Sequence, residues 1–202
     1  RASSAPVVTN CSFIGNDATD GAGVNNYQAS PIFIDCYFEG NTGYENGGGM
    51  ANQTNSSPTL TNCHFINNTI TSEYGAGMYN GFSSSPTLNN CSFSGNNANY
   101  YGGGIYNSSS YSSPTLNNCS FSGNNANSRG GGIYNSSSSP ILKNCILWGN
   151  SDEIYGGNTS VTYSIVQGGY QGVGNIDIDP LFVEQPDYNN APTSDGDLHL
   201  QA

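Results

Sequence analysis

The sixteen-residue stretch SSPTLNNCSFSGNNAN occurs twice, letter for letter, at 84–99 and at 112–127. Outward from these copies, the same skeleton recurs along most of the chain. Pro6, Pro31, Pro58, Pro86, Pro114 and Pro140 are each followed five residues later by Cys11, Cys36, Cys63, Cys91, Cys119 and Cys145. Two residues beyond each Cys stands Phe13, Phe38, Phe65, Phe93, Phe121 or Leu147, and three beyond that Asn16, Asn41, Asn68, Asn96, Asn124 or Asn150. Successive units start 25 to 28 residues apart. A fixed period in this range marks an array of units too small to bury a core singly, which must therefore stack.

Each unit reads as three short strands. Side chains alternate between faces along a strand, so Cys91 and Phe93 point inward together. Leu88 has the opposite parity and points inward only if the chain bends at Asn89 and Asn90. Asn suits such a bend because it tolerates the left-handed conformation and can bond its neighbours. The residues preceding Cys (Asn10, Asp35, Asn62, Asn90, Asn118 and Asn144) then stack as an amide ladder. The third strand is Gly103-Gly104-Ile105-Tyr106-Asn107, with the inward column Val24, Met50, Met78, Ile105, Ile133 and Ile154. Gly23, Gly49, Gly77, Gly104 and Gly132 precede that column, which implies positive φ, a bulge or a close contact. Asn26, Asn52, Asn80, Asn107 and Asn135 form a second amide ladder.

Stacked in register, these strands make an all-β, right-handed parallel β-helix, a solenoid of about six to seven coils. The hand follows from the strong preference of parallel crossovers. Repeats occupy residues 1–155, and 156–202 hold a degenerate last coil and a C-terminal capping segment. In that last coil Tyr163-Ser-Ile-Val-Gln-Gly168 aligns with Asn144-Cys-Ile-Leu-Trp-Gly149. The opening Arg1-Ala-Ser-Ser-Ala5 reads as the end of a Ser-rich turn with no polar cap before Pro6. The expectation there is either further coils upstream or head-to-tail self-association into filaments.

The net charge is −11, with Arg1, Arg129 and Lys143 the only Lys or Arg residues. Such a chain cannot neutralise a phosphate backbone, which excludes nucleic acid and anionic membranes as partners. No apolar run approaches the ~18 residues of a membrane span, so membrane insertion is not expected. Asn, Ser and Gly supply 85 of the 202 residues, but 22 evenly spread Phe and Tyr residues argue against disorder.

The motif Phe-x-x-Asn followed by Gly-Gly-Gly-Ile resembles the paired short motifs of polymorphic outer-membrane protein repeats, which are right-handed β-helical surface adhesins. The tail Gly174-Asn-Ile-Asp-Ile-Asp-Pro-Leu-Phe182, then Gly196-Asp-Leu-His-Leu200, is similar to the closing segment of secreted, surface-anchored bacterial β-helix proteins. These resemblances imply an extracellular or cell-surface location and a non-catalytic structural or adhesive role, as a stalk or fibre-forming unit.

The candidate functional residues are few. Tyr79, Tyr106, Tyr134 and Tyr155 follow the inward Met or Ile in four successive coils and form an outward aromatic face. Read functionally, that face contacts glycans or a partner. The plainer reading is a stacked ladder that stabilises the strands. The alternative role for the protein, a carbohydrate-binding or carbohydrate-active β-helix, rests on this face. A lyase or hydrolase on such a fold needs converging carboxylates. In the repeats Asp17, Asp20, Asp35, Glu39, Glu45 and Glu73 are scattered, so no catalytic residues are assigned. The six Cys read as a stacked column of buried, unpaired thiols, since side chains on in-register parallel strands run side by side. No His joins that column, and His64 and His199 each stand alone. No metal ligands or cofactors are therefore assigned. Calcium at the acidic tail (Asp177, Asp179, Glu184, Asp187, Asp195, Asp197) competes with a reading of these as solvated turn residues. Among the Asn-x-Ser/Thr sequons, Asn107 and Asn135 begin Ser-rich turns read as exposed, and are the candidate glycosylation sites.

Overall fold

The structure, a computed structural model, describes residues 5–201. Arg1 to Ser4, most of the stretch read as the end of a Ser-rich turn, and Ala202 lie outside the described residues. Four parallel sheets wrap the core rather than three. In the fourth coil their strands are Thr87–Asn89, Ser92–Ser94, Asn97–Ala98 and Ile105–Asn107. By their markers these are the Pro sheet and the Cys sheet, of seven strands each, the short sheet of five and the Gly sheet of six. The additional strand is a two-residue Asn-Ala rung in the fourth and fifth coils. It is too brief to alternate, and pairing with the rungs on either side makes it a strand. Five coils carry all four strands, a sixth lacks the short one, and a seventh keeps only Ser160–Thr162 and Ile165–Val166.

The register of the Pro, Cys and Gly sheets is uniform through the stack, and the short sheet shifts once, between Ala18 and Asp20. Phe93 pairs with Phe65 and Phe121, Leu88 with Leu60 and Leu116, and Ile105 with Met78 and Ile133. The corners hold it. Asn10, Asp35, Asn62, Asn90, Asn118 and Asn144 all adopt φ of 52–54°, at the bend expected between the Leu and the Cys. The inner glycines answer to a different constraint. A Cβ on Gly49, Gly77 or Gly104 would lie 2.5–2.6 Å from the next rung's glycine carbonyl oxygen and within 2.9 Å of a Phe ring. Close contact, rather than positive φ or a bulge, is what excludes a side chain there.

The core is a set of like-on-like columns. Phe13, Phe38, Phe65, Phe93 and Phe121 stack with centroids 4.5–5.0 Å apart and planes within 7°. Each fully buried Phe contributes about 2–3 kcal/mol by area alone; Phe38, Phe65 and Phe93 touch Phe above and below, and Phe121 meets Leu147 on its far side.

The two ends differ. On the first coil Val8, Phe13 and Val24 are only partly buried and Cys11 is exposed. At the other end the last rung is covered. Tyr163 N donates to Val173 O, Val166 N to Ile176 O, and Asn175 Nδ2 to Val161 O. The chain then turns back as an antiparallel hairpin, Phe182–Glu184 with Asp197–Leu200, whose loop holds the one helical turn among the described residues, Tyr188–Asn190. This hairpin lies along the outside of the Cys sheet. Gln185 sits over Gly149, Pro186 over Gly123, and Thr193 N donates to Gly95 O at 3.0 Å. The neighbouring outward side chains, Ser94 and Ser122, are small and buried.

Candidate functional site

Two amide ladders run inside the solenoid, parallel to its axis. In one, Asn26, Asn52, Asn80 and Asn107 each donate Nδ2 to the Oδ1 of the next, ending at Asn135, at 2.8–2.9 Å, and Asn135 donates to Thr159 Oγ1. This is the second ladder expected from the spacing. It overturns the exposed placement of the sequons, because Asn107 and Asn135 are buried with their amide nitrogens committed to the ladder. An oligosaccharide on either nitrogen would break it.

The other inner ladder is Asn16, Asn41, Asn68, Asn96, Asn124 and Asn150, the repeat position three residues past the Phe. Each residue also donates its backbone N–H to the next Oδ1, so every amide oxygen after the first takes two bonds. Sequence reasoning found this column but gave it no role. The signal was its lack of exceptions across six units. The ladder at the corner before Cys lies outside the core and is partial. Asn62 bonds Asp35, Asn90 bonds Asn62, and Asn118 bonds Asn90 at 2.9–3.2 Å, while Asn10 and Asn144 share the backbone geometry without a side-chain bond among the described residues.

The second inner ladder ends on a carboxylate that sequence reasoning missed. Glu153 accepts Asn150 N on Oε1 and Asn150 Nδ2 on Oε2. It fills the place of a seventh asparagine, where the last coil has Gly169. Burial pushes Glu153 up to about 7, against the pull of the Asn150 hydrogen bonds. A cleft of about 520 Å³ beside it is lined by Asp152, Gln167, Gln185, Asp187 and Tyr188. Here the carboxylates come nearest to an acid–base constellation, yet both Glu153 oxygens are already spent on the ladder. The tail acids act as local acceptors: Asp177 takes Gly168 N, Asp179 takes Leu181 N, and Asp187 caps the helical turn at Asn189 N.

Tyr79, Tyr106, Tyr134 and Tyr155 do stack in order, with centroids 5.2–5.7 Å apart. A second column interleaves with them. Tyr74 lies 4.5 Å from Tyr106, Tyr101 lies 4.4 Å from Tyr134, and the Arg129 guanidinium sits 4.9 Å over the Tyr155 ring. Backbone bridges from Tyr74 to Tyr101 to Arg129 hold this outer column in register. The open aromatic face expected from the sequence is therefore corrected. Tyr79 and Tyr106 are only 6% and 8% exposed. Stacked face to face and covered by the second column, these inner rings have no free face, which a sugar platform needs. Burial, then the neighbouring Tyr74, pushes the Tyr106 hydroxyl up to about 12.

All six thiols are unpaired. Cys36, Cys63, Cys91, Cys119 and Cys145 are buried as expected, but Cys11 is exposed, because among the described residues no rung lies over it. The neighbouring Cys91 thiol, then burial, push Cys63 well up, which keeps it protonated and inert.

A match to a family model fits this geometry: residues 1–121, more than half of the chain, match the model described as a right handed beta helix region. The chain belongs to the right-handed β-helix family. No curated protein and no solved structure matches it. Membership settles the hand and the solenoid class, and leaves open whether a β-helix of this kind is a scaffold or an enzyme. Among the described residues no helix is long and apolar enough to cross a membrane.

Proposed function

We propose that this β-helix is a non-catalytic extracellular scaffold, a stiff adhesive stalk at a cell surface. The observation that carries the reading is the pair of buried ladders, which tie every complete coil to its neighbours by side chains as well as by backbone. Glu153 serves the same structure, since it terminates a ladder. Incubation with pectin, alginate and related polysaccharides should release neither reducing ends nor unsaturated products. Turnover that disappears on replacing Asp152 or Asp187 would overturn the scaffold reading.

A stalk is favoured over a head-to-tail filament. Part of the last rung already pairs with residues 173–176, and Glu153 and Thr159 close the ladders, which leaves less of the C-terminal end open to the first coil of another copy. Electron microscopy should show discrete short rods; a continuous filament with an axial repeat would reverse the preference. Glycan contact remains a second reading on one observation. A shallow pocket of about 450 Å³ at the end of the Tyr stack combines Arg129, Asp152, Ser128, Ser151 and the exposed Tyr155. Glycan binding lost in an Arg129→Ala, Tyr155→Ser variant of intact fold would support it.

A further inference from the structure

The chain has two histidines, far apart in sequence, and the fold brings them to one groove. The C-terminal hairpin crosses the Cys sheet and leaves a groove of about 360 Å³, lined by His64, Ile66, Ser92 and Ser120 on the sheet and by Leu198 and His199 on the hairpin. His64 stacks on Tyr37 at 4.7 Å and bonds Ser92 Oγ through Nδ1 at 2.8 Å. His199 bonds Asp197 Oδ1 through Nδ1. Neither Nε2 has a hydrogen-bond partner among the described residues. One imidazole nitrogen anchored to an oxygen, with the other free, is the arrangement that orients a metal-ligating histidine and fixes its tautomer.

The surroundings favour a cation. The chain carries a net charge of −11. Among the described residues the hairpin makes one hydrogen bond to the coils, Thr193 N to Gly95 O, beside the packing of Gln185 on Gly149 and of Pro186 on Gly123. We propose that the groove is a clasp for a borderline divalent ion (Zn²⁺, Ni²⁺ or Cu²⁺), held by Nε2 of His64 and Nε2 of His199, that pins the C-terminal hairpin to the Cys sheet. Imidazole pairs select these ions over Ca²⁺ and Mg²⁺, which want oxygen. Among the described residues no three His, Cys, Asp or Glu side chains converge, so water completes the coordination. His199 is the mobile half, with a side chain 90% exposed that swings inward to close the clasp.

The test is calorimetric titration of the full chain with Ni²⁺ in a Cys11→Ser background, which removes the exposed thiol. The expected result is one ion per chain, bound at least about ten-fold more weakly after His64→Gln and after His199→Ala. Ser92→Ala, which releases the His64 nitrogen, and Asp197→Asn, which removes the negative charge behind the His199 nitrogen, should each weaken binding by about ten-fold as well. Ni²⁺ should also slow hydrogen exchange across residues 185–200, and fail to do so in His199→Ala. No binding, binding unchanged by His199→Ala, or Co²⁺ spectra with thiolate charge-transfer bands would overturn the clasp. Should His64→Gln fail to fold, His199→Ala and Asp197→Asn, both at exposed positions, still decide the matter.

Discussion

At the level of single residues, an asparagine side chain does two different jobs here, and burial separates them. Asn96 accepts Asn68 N and Nδ2 on its Oδ1 and gives its own Nδ2 to Phe65 O and Asn124 Oδ1, all inside the core. Asn96→Ala strands those donors and acceptors without water, and each unmet buried group costs about 1–3 kcal/mol. The expected loss is about 4 kcal/mol in urea unfolding. Asn62→Gly, which cuts the exposed corner ladder but keeps the left-handed φ, should cost less than about 1 kcal/mol. Equal losses would mean that the inner ladder has no special role. Glu153 adds a pH dependence. Its carboxyl is held up to about 7 by burial, against 4.5 for the free group. Between those values the folded protein keeps a proton that the unfolded chain has released. The resulting stability, about 3 kcal/mol, is fully present below about pH 4.5 and lost as pH rises through about 7. Urea midpoints at pH 5 and pH 8 should differ in the wild type by more than in Glu153→Gln, which carries no titrating group there.

Among the elements, the Cys strand and the tyrosine stack test how side chains repeat up a solenoid. Five thiols are buried on successive rungs and one, Cys11, faces solvent on the first coil. A thiol reagent on the native protein should therefore react fast with a single Cys, and with the other five only on unfolding. Several fast thiols would contradict the buried column. The Phe, Leu and Cys columns were legible in the sequence because each recurs at a constant offset from Pro and because parity along a strand assigns a face. The short sheet was not, since two residues such as Asn97 and Ala98 have no period to read. The tyrosines were half legible. Tyr79, Tyr106, Tyr134 and Tyr155 follow the core column at a fixed offset; Tyr74 and Tyr101 each stand five residues before a Tyr of that column, but the offset does not say which way the chain folds between them, so only the fold shows that they cover the first column. Tyr106→Ala should cost about 3–5 kcal/mol, the loss of a large buried ring and its stacking partners, while Tyr100→Ala, at an exposed ring, should cost less than about 1 kcal/mol.

For the whole molecule the repeat predicts what a coil is worth and where one fits. Contacts between sequence neighbours only mean that stability adds coil by coil. The C-terminal turnaround escaped sequence reasoning because its partners are far away: nothing in Thr193 or Pro186 announces Gly95 or Gly123. The first coil is the informative end. Its four strands each end a sheet, its core residues Val8, Phe13 and Val24 are only partly buried, and the Oδ1 of Asn16 and of Asn26 accepts no hydrogen bond from the described residues. Every column stops there in the middle of its pattern. A copy of residues 84–111, one full period, inserted between Ser3 and Ser4 places its ladder residues Asn96 and Asn107 one rung above Asn16 and Asn26. If the first coil is a rung like the others, the added coil should pair with all four strands and donate two amides to the two unfilled oxygens. It should also bury Phe13 and shut Cys11 away from solvent. The expected outcome is a loss of the one fast-reacting thiol and a rise in both the urea midpoint and the slope of the transition, since more surface is buried. A thiol that still reacts at the original rate, with an unchanged transition, would show that the first coil is closed to further rungs.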